Sequence, residues 1–297
     1  MKIDKDKVIN CTPVEMIEYK SSTIVFKLEQ YSLLGSIKSR TAYYLIKDIL
    51  SSCKDQRHLK VCESTSGNLG LALQYFCNLE KIKFLCLTDK TISSAKLGKL
   101  QAHAVEYELV DSFTENGYRE ARIRRAEELR EQGYIWTNQY DNAAAVLAHY
   151  ETTGPEIFEQ TKGKLSHIVC AMGTGGTIIG IGKYLHNRNP RIQVVGVEPW
   201  GSTIFSSHEG GYLSAGAGMK GTPGNILRNP NVIDVYEVVK DTESIACCNE
   251  LNSNYGLDVG ITSGMAFCVA KKIAEKQPGS YIVVVCPDGR SSYEEFL

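Results

Sequence analysis

Strand and helix alternate along nearly the whole of this 297-residue chain, and that alternation restricts the fold more than any other feature. Apolar, β-favouring segments at 23–28, 59–62, 83–88, 105–110, 134–137, 167–170, 193–197, 235–239 and 281–285 predict strands. Helical periodicity runs between them over 36–51, 69–76, 93–104, 115–131, 142–162, 178–186, 241–253 and 263–276. Strands joined through crossover helices pair in parallel and are covered on both faces, with ligands at the carboxyl ends of the strands. The predicted class is α/β, two domains of parallel or mostly parallel sheet flanked by helices. One stretch, 200–231, is rich in Gly, Ser and Asn and nearly patternless. It is too long for a connector and is expected to be a functional loop.

A formal charge of −1 with 23% charged residues argues against a phosphate-backbone binder, so no nucleic-acid partner is expected. No window reaches the ~18 apolar residues of a membrane span, and the charged start Met1–Lys7 is unlike a secretory signal. The expectation is a cytoplasmic protein with no membrane partner. Ten cysteines form no Cys-x-x-Cys pair, and most sit inside apolar patterns, as small buried hydrophobes do. Cys247-Cys248 has no histidine close in sequence, and no metal is assigned.

Three strand-to-helix turns carry chemistry-bearing residues. Gly35-Ser36-Ile37-Lys38-Ser39-Arg40 sets a lysine at a helix start, where the positive dipole end disfavours an ammonium and favours a nearby phosphate. A lysine so placed can serve as an amine nucleophile. Ser64-Thr65-Ser66-Gly67-Asn68 offers hydroxyls, an amide and helix-start N–H groups, a cup for a carboxylate, where a simple cap would need one such residue. Gly173-Thr174-Gly175-Gly176-Thr177 lets backbone amides approach an anion, without the lysine of a nucleotide loop or the spacing of a dinucleotide fingerprint. A phosphate that is not a nucleotide is the expected ligand.

These turns, with Asn138-Gln139, the run from His149 to Ile157 and Gly260-Ile261-Thr262-Ser263-Gly264-Met265-Ala266, occur in the order and spacing of a known family. The chain resembles the cysteine synthase and cystathionine β-synthase family of pyridoxal-phosphate enzymes, fold type II, over nearly its whole length. The resemblance implies a smaller substrate-closing domain over 39–145, a larger cofactor-binding domain of 1–38 plus 146–297, and a homodimer. It implies that Lys38 carries the cofactor as an imine and acts as the catalytic residue. Asn68 would meet the ring hydroxyl, Gly173, Thr174, Gly175, Gly176 and Thr177 the 5′-phosphate, and Gly260 would flank the cofactor. Ser64, Thr65, Ser66, Gly67, Asn68 and Gln139 would bind the small amino-acid substrate.

Three departures from the family pattern stand out. Ser39 replaces an Asp, and Gly289 in Pro287-Asp288-Gly289-Arg290-Ser291-Ser292-Tyr293 occupies the position of a Ser or Thr that meets the pyridine nitrogen. Asp288, Ser291 or a water would then take that role. The loop segment Gly216–Gly221 carries Lys220, expected to approach an anionic leaving group or second substrate. The activity implied is β-replacement on serine, an activated serine (O-acetylserine or O-phosphoserine) or cysteine through an aminoacrylate, most like cysteine synthase. Hydrogen sulfide release from cysteine, an amine nucleophile giving a diaminopropionate-type product, α,β-elimination, and an inactive binding subunit are the alternatives.

Overall fold

The computed structural model describes residues 9–293 except 66, 115, 116 and 215. In chain order the elements are β1 (Val14–Tyr19), β2 (Ser22–Leu28), α1 (Lys38–Ser52), β3 (Lys60–Ser64), α2 (Asn68–Leu79), β4 (Lys83–Asp89) and α3 (Ser94–Ala102). There follow β5 (Tyr107–Val110), α4 (Tyr118–Glu131), β6 (Ile135–Trp136), α5 (Ala143–Tyr150), α6 (Thr153–Gln160), β7 (His167–Ala171) and α7 (Gly176–Arg188). The chain closes with β8 (Gln193–Pro199), α8 (Gly224–Leu227), β9 (Val235–Val239), α9 (Asp241–Tyr255), α10 (Ile261–Lys276) and β10 (Tyr281–Cys286).

Two sheets result, one of six strands ordered β1-β2-β10-β7-β8-β9 and one of four ordered β5-β4-β3-β6. Every pairing is parallel except β1 with β2, an antiparallel hairpin closed at Lys20-Ser21 with Lys20 at φ 54°. Strand β1 was not expected from the sequence. Its V-E-M-I-E-Y alternation is the signature of an edge strand, half exposed as observed. The helix expected over 142–162 is two helices, because Thr152 leaves helical geometry at φ −128°, ψ −76°. Pro155 sits in the first turn of α6, where its missing N–H leaves no bond unmade. Residues 202–206 wrap around the buried carboxylate of Glu198 at the end of β8. That carboxylate accepts from Ser202 Oγ at 2.7 Å and from the amides of Ile204 and Ser206 at 2.9 and 2.8 Å.

The central strands β2, β10, β7 and β8 are buried on both faces, with Ile24, Phe26, Val284, Val169 and Val194 fully enclosed. Continuous apolar runs of this kind are what helix-covered parallel strands require. Helix α10 crosses one face, its Phe267 meeting Phe26 edge-on at 5.5 Å. A buried ion lattice ties α1 to this frame. Arg40, 1% exposed, reaches Glu29 at 2.8 Å and Glu156 at 2.5 Å, while Lys27 reaches Glu156 at 2.6 Å. The residue two positions before Arg40 is Lys38, so the lattice fixes where that amine emerges. Among the described residues no helix is long and apolar enough to cross a membrane.

Candidate active site

Three helix starts converge on one cleft. The N-cap residues of α1, α2 and α7 are Ile37, Gly67 and Gly175, none with a side-chain oxygen, whereas α3 and α5 are capped by Ser93 and Asn142. The first N–H groups of a helix need partners from outside it. At α1 Ser36 answers that need, its Oγ accepting from Lys38 N at 3.3 Å and its carbonyl from Ser39 N at 3.1 Å, whereas the starts of α2 and α7 have no side-chain cap and leave amides for a ligand at the positive ends of their dipoles. A cavity of about 290 Å³ is lined by Lys38, Thr65, Gly67, Asn68, Gln139, Gly173 and Thr174. An adjoining cavity of about 50 Å³ shares Lys38 and is bounded by Gly175 and Thr177.

Backbone pairing brings Lys38 to the floor of this cleft. Ile37 N donates to the carbonyl of Pro287 at 2.9 Å, and Ser36 bridges to Asp288, so the end of β10 is joined to the start of α1. Burial lowers the Lys38 pKa, and the nearby Glu63 and Asp288 charges oppose that shift without reversing it. Asp288 is 4% exposed, and burial pushes its carboxyl up to about 6. Its Oδ2 accepts from Asn68 Nδ2 at 2.9 Å, and among the described residues its buried Oδ1 has no partner.

Each expected residue among those described has a definite place. Ser64 lies behind the cleft, its hydroxyl 3.2 Å from Tyr140 Oη and its carbonyl bonded by Gln139 Nε2 at 3.0 Å. Ser66 lies outside the described residues. Gly175, at φ +83°, turns the loop into α7, and Gly176 packs so close to Ala145 that a Cβ would meet its carbonyl at 3.0 Å. Thr177 Oγ1 lies 3.3 Å from His149 Nε2, whose burial holds the imidazole neutral. Gly260 closes over Asp288, since a Cβ there would fall 2.6 Å from Oδ1. Two residues are not brought in. Ser291 is exposed, its carbonyl accepting from Lys99 at 3.1 Å, and Lys220 pairs with Glu209 at 2.9 Å away from the cavity wall. Ser39 turns its hydroxyl back onto the Ser36 carbonyl at 2.9 Å.

Several lining residues were not expected from the sequence. Tyr293 is buried against Asp288, its hydroxyl 3.4 Å from Oδ2, and Lys96, Arg119, Arg122 and Tyr212 complete the mouth. Glu63 is buried just behind, pushed up to about 7, and orients Gln139 by accepting its amide at 3.2 Å. These residues come from the N-terminal turns of α3 and α4, the end of β3 and two irregular stretches, and share no periodicity that could have marked them.

The residues fit the cofactor that the resemblance implies. Uncapped amides and a left-handed glycine suit its phosphate, the lowered Lys38 amine suits covalent attachment, and the bare Oδ1 of Asp288 suits a ring nitrogen. A family model described as pyridoxal-phosphate dependent enzyme matches residues 6–288. Cysteine synthase 1 of Emericella nidulans is 32% identical over 94% of this chain and 79% of its own length. The cysteine synthase of Helicobacter pylori is 32% identical over 92% of this chain and 88% of its own. The crystal structure of an O-acetylserine dependent cystathionine β-synthase from Helicobacter pylori superposes with a TM-score of 0.88 at 28% identity, covering 100% of both chains. The chain therefore belongs to the pyridoxal-phosphate-dependent enzyme family and is an enzyme of the cysteine synthase type.

Proposed function

We propose that this protein catalyses β-replacement on serine or an activated serine, and that Lys38 is both the attachment point of the cofactor and the base at the substrate α-carbon. The observation that carries this reading is that Lys38 shares one cleft with the starts of three helices, two of which, α2 and α7, have no side-chain cap. Pyridoxal phosphate, when bound, supplies an electron sink for negative charge at that carbon. Gly173–Thr177 hold its phosphate through backbone amides and threonine hydroxyls. Thr65, Gly67, Asn68 and Gln139 would hold the substrate carboxylate, and Asp288, whose buried Oδ1 has no partner among the described residues, would meet the ring nitrogen. Burial lowers the pKa of the Lys38 amine, which favours the uncharged form that accepts a proton.

The segment 39–145, which contains the four-stranded sheet, is the smaller domain that closes over substrate in this reading. The protein acts as a cytoplasmic homodimer, and sedimentation at the mass of one 32.9 kDa chain would refute that assembly. The central test is to reduce the cofactor-loaded protein with borohydride and map the modified peptide. Separate samples are mixed with serine, O-acetylserine, O-phosphoserine and cysteine, and released acetate, phosphate or sulfide is measured. Label on the Lys38 peptide and release from one of these substrates are expected. Label on another lysine would overturn the assignment.

A further inference from the structure

The mouth of the cleft carries more positive charge than the cofactor phosphate and the substrate α-carboxylate account for. Four cations line the larger cavity, Lys38, Lys96, Arg119 and Arg122, against one lining carboxylate, Asp288. Lys38 and Asp288 sit at the floor. The other three cations come from α3 and α4, which flank the carboxyl end of β4, where an open parallel sheet places its ligands.

Arg122 is the most telling of these. It is 8% exposed, and among the described residues its Nε and Nη1 have no hydrogen-bond acceptor. Its one ionic neighbour among the described residues is Asp89, whose Oδ2 lies 3.3 Å from Nη1, while the other oxygen, Oδ1, accepts from the Thr91 amide at 2.9 Å. A guanidinium buried without its hydrogen bonds is costly, and the cost is removed by an oxyanion that accepts from it. Arg119 lies one helical turn earlier on the same helix and lines the same cavity, as does Tyr212 from the irregular stretch after β8. Lys96 stands opposite, its ammonium 6.0 Å from the Tyr293 ring.

We propose that Arg122 and Arg119, with Lys96 and Tyr212, form a second oxyanion subsite that selects a negatively charged group remote from the reacting α-carbon. It rests on the β-replacement reading and gives that reading a substrate class. The anion is either a phosphate on the leaving group or a carboxylate on the incoming nucleophile, and both present the same chemistry to a guanidinium.

The test compares the cofactor-loaded parent with Arg122→Gln, Arg119→Gln and Arg122→Lys. In the donor arm, kcat/KM is measured for O-phosphoserine and O-acetylserine with sulfide. In the acceptor arm, mercaptoacetate and mercaptoethanol compete for O-acetylserine. Either arginine-to-glutamine change should lower the anionic-to-neutral ratio about 10- to 100-fold in one arm, and Arg122→Lys should restore part of it. The arm that responds identifies the source of the anion. A third measurement does not depend on turnover: calorimetric binding of O-phosphoserine, serine and mercaptoacetate. The parent should bind an anionic member more tightly, and Arg122→Gln should erase the preference. Ratios unchanged in both arms, or equal losses on charged and neutral substrates, would overturn the subsite. Failure of turnover with every substrate, beside a binding preference that Arg122→Gln removes, would instead overturn β-replacement and leave the subsite standing.

Discussion

Replacing Gly175 by Ala tests the geometry of the phosphate loop with the fewest added atoms. Gly175 sits at φ +83°, and an added Cβ would fall 2.5 Å from Ile226 Cγ1 and 3.2 Å from Cδ1. The left-handed backbone costs a non-glycine residue about 1–2 kcal/mol. Overpacking a buried contact costs about 1–3 kcal/mol. Together they remove about 2–5 kcal/mol from a stability of order 5–15 kcal/mol, so the variant folds with a thinner margin. Gly98→Ala is the internal control, because Gly98 is exposed within α3 and a Cβ there meets nothing within 4 Å. That change should stabilise by about 0.5–1 kcal/mol. Urea unfolding of the cofactor-free proteins reads both signs. Spectroscopic titration with pyridoxal phosphate reads the second consequence, weaker cofactor binding in Gly175→Ala alone. Adding Ile226→Ala should show a favourable coupling of about 1 kcal/mol or more. A Gly175→Ala protein within 1 kcal/mol of its parent, or both glycine variants shifting the same way, would refute the argument.

Lys38→Ala should abolish turnover and borohydride labelling while the protein stays folded, as circular dichroism and a thermal melt will show. Glu156→Gln should cost about 3–5 kcal/mol in urea unfolding, because Arg40 and Lys27 would lose the carboxylate they share in a buried setting. Asn142→Ala should cost about 1 kcal/mol by removing the cap that accepts from Ala144 N at 2.9 Å. Asp288 should give the cofactor-free protein a pH signature. Its carboxyl is raised from 3.8 to about 6, so the unfolded chain loses that proton first. The stability it contributes is whole below about pH 4 and is lost as pH rises through 6, about 3 kcal/mol in all, and Asp288→Asn should flatten that slope.

Periodicity located the elements because helix-covered parallel strands must be apolar along their length, and β7, β8 and β10 could be read within a residue or two. Edge strand β1 escaped because half of it faces solvent. The glycine loop and the turn before α2 were legible as strand-to-helix turns facing one cleft, because consecutive Gly, Ser and Thr interrupt the apolar pattern on both sides. Ser64 shared the composition of that turn without sharing its direction. As the last residue of β3 it points behind the cleft to Tyr140. Ser291 and Asp288 were equal in the sequence and differ in the fold, since the bridge from Ser36 pins Asp288 inward while the turn at 290–292 leaves Ser291 exposed. Lys220 shows the same limit, because an ion pair with Glu209, eleven residues away across an irregular loop, follows no periodic rule. The basic wall on α4 looked like an ordinary charged helix face. Only the packing of Arg122 beside Asp89 separates it from its exposed neighbour Arg124.

The floor of the cleft draws three ionisations toward a common range. Glu63 rises to about 7, Asp288 rises to about 6, and Lys38 is lowered, and burial is the leading cause of each. In water the lysine and the carboxylates would titrate about six units apart. Exposing any of the three would return it toward its solution value, so each is held where it is at the expense of stability. The fold sustains that expense by fixing the surrounding backbone: the Arg40 lattice anchors the start of α1, the Ile37–Pro287 bond joins it to β10, and Glu63 braces Gln139 at the end of β6.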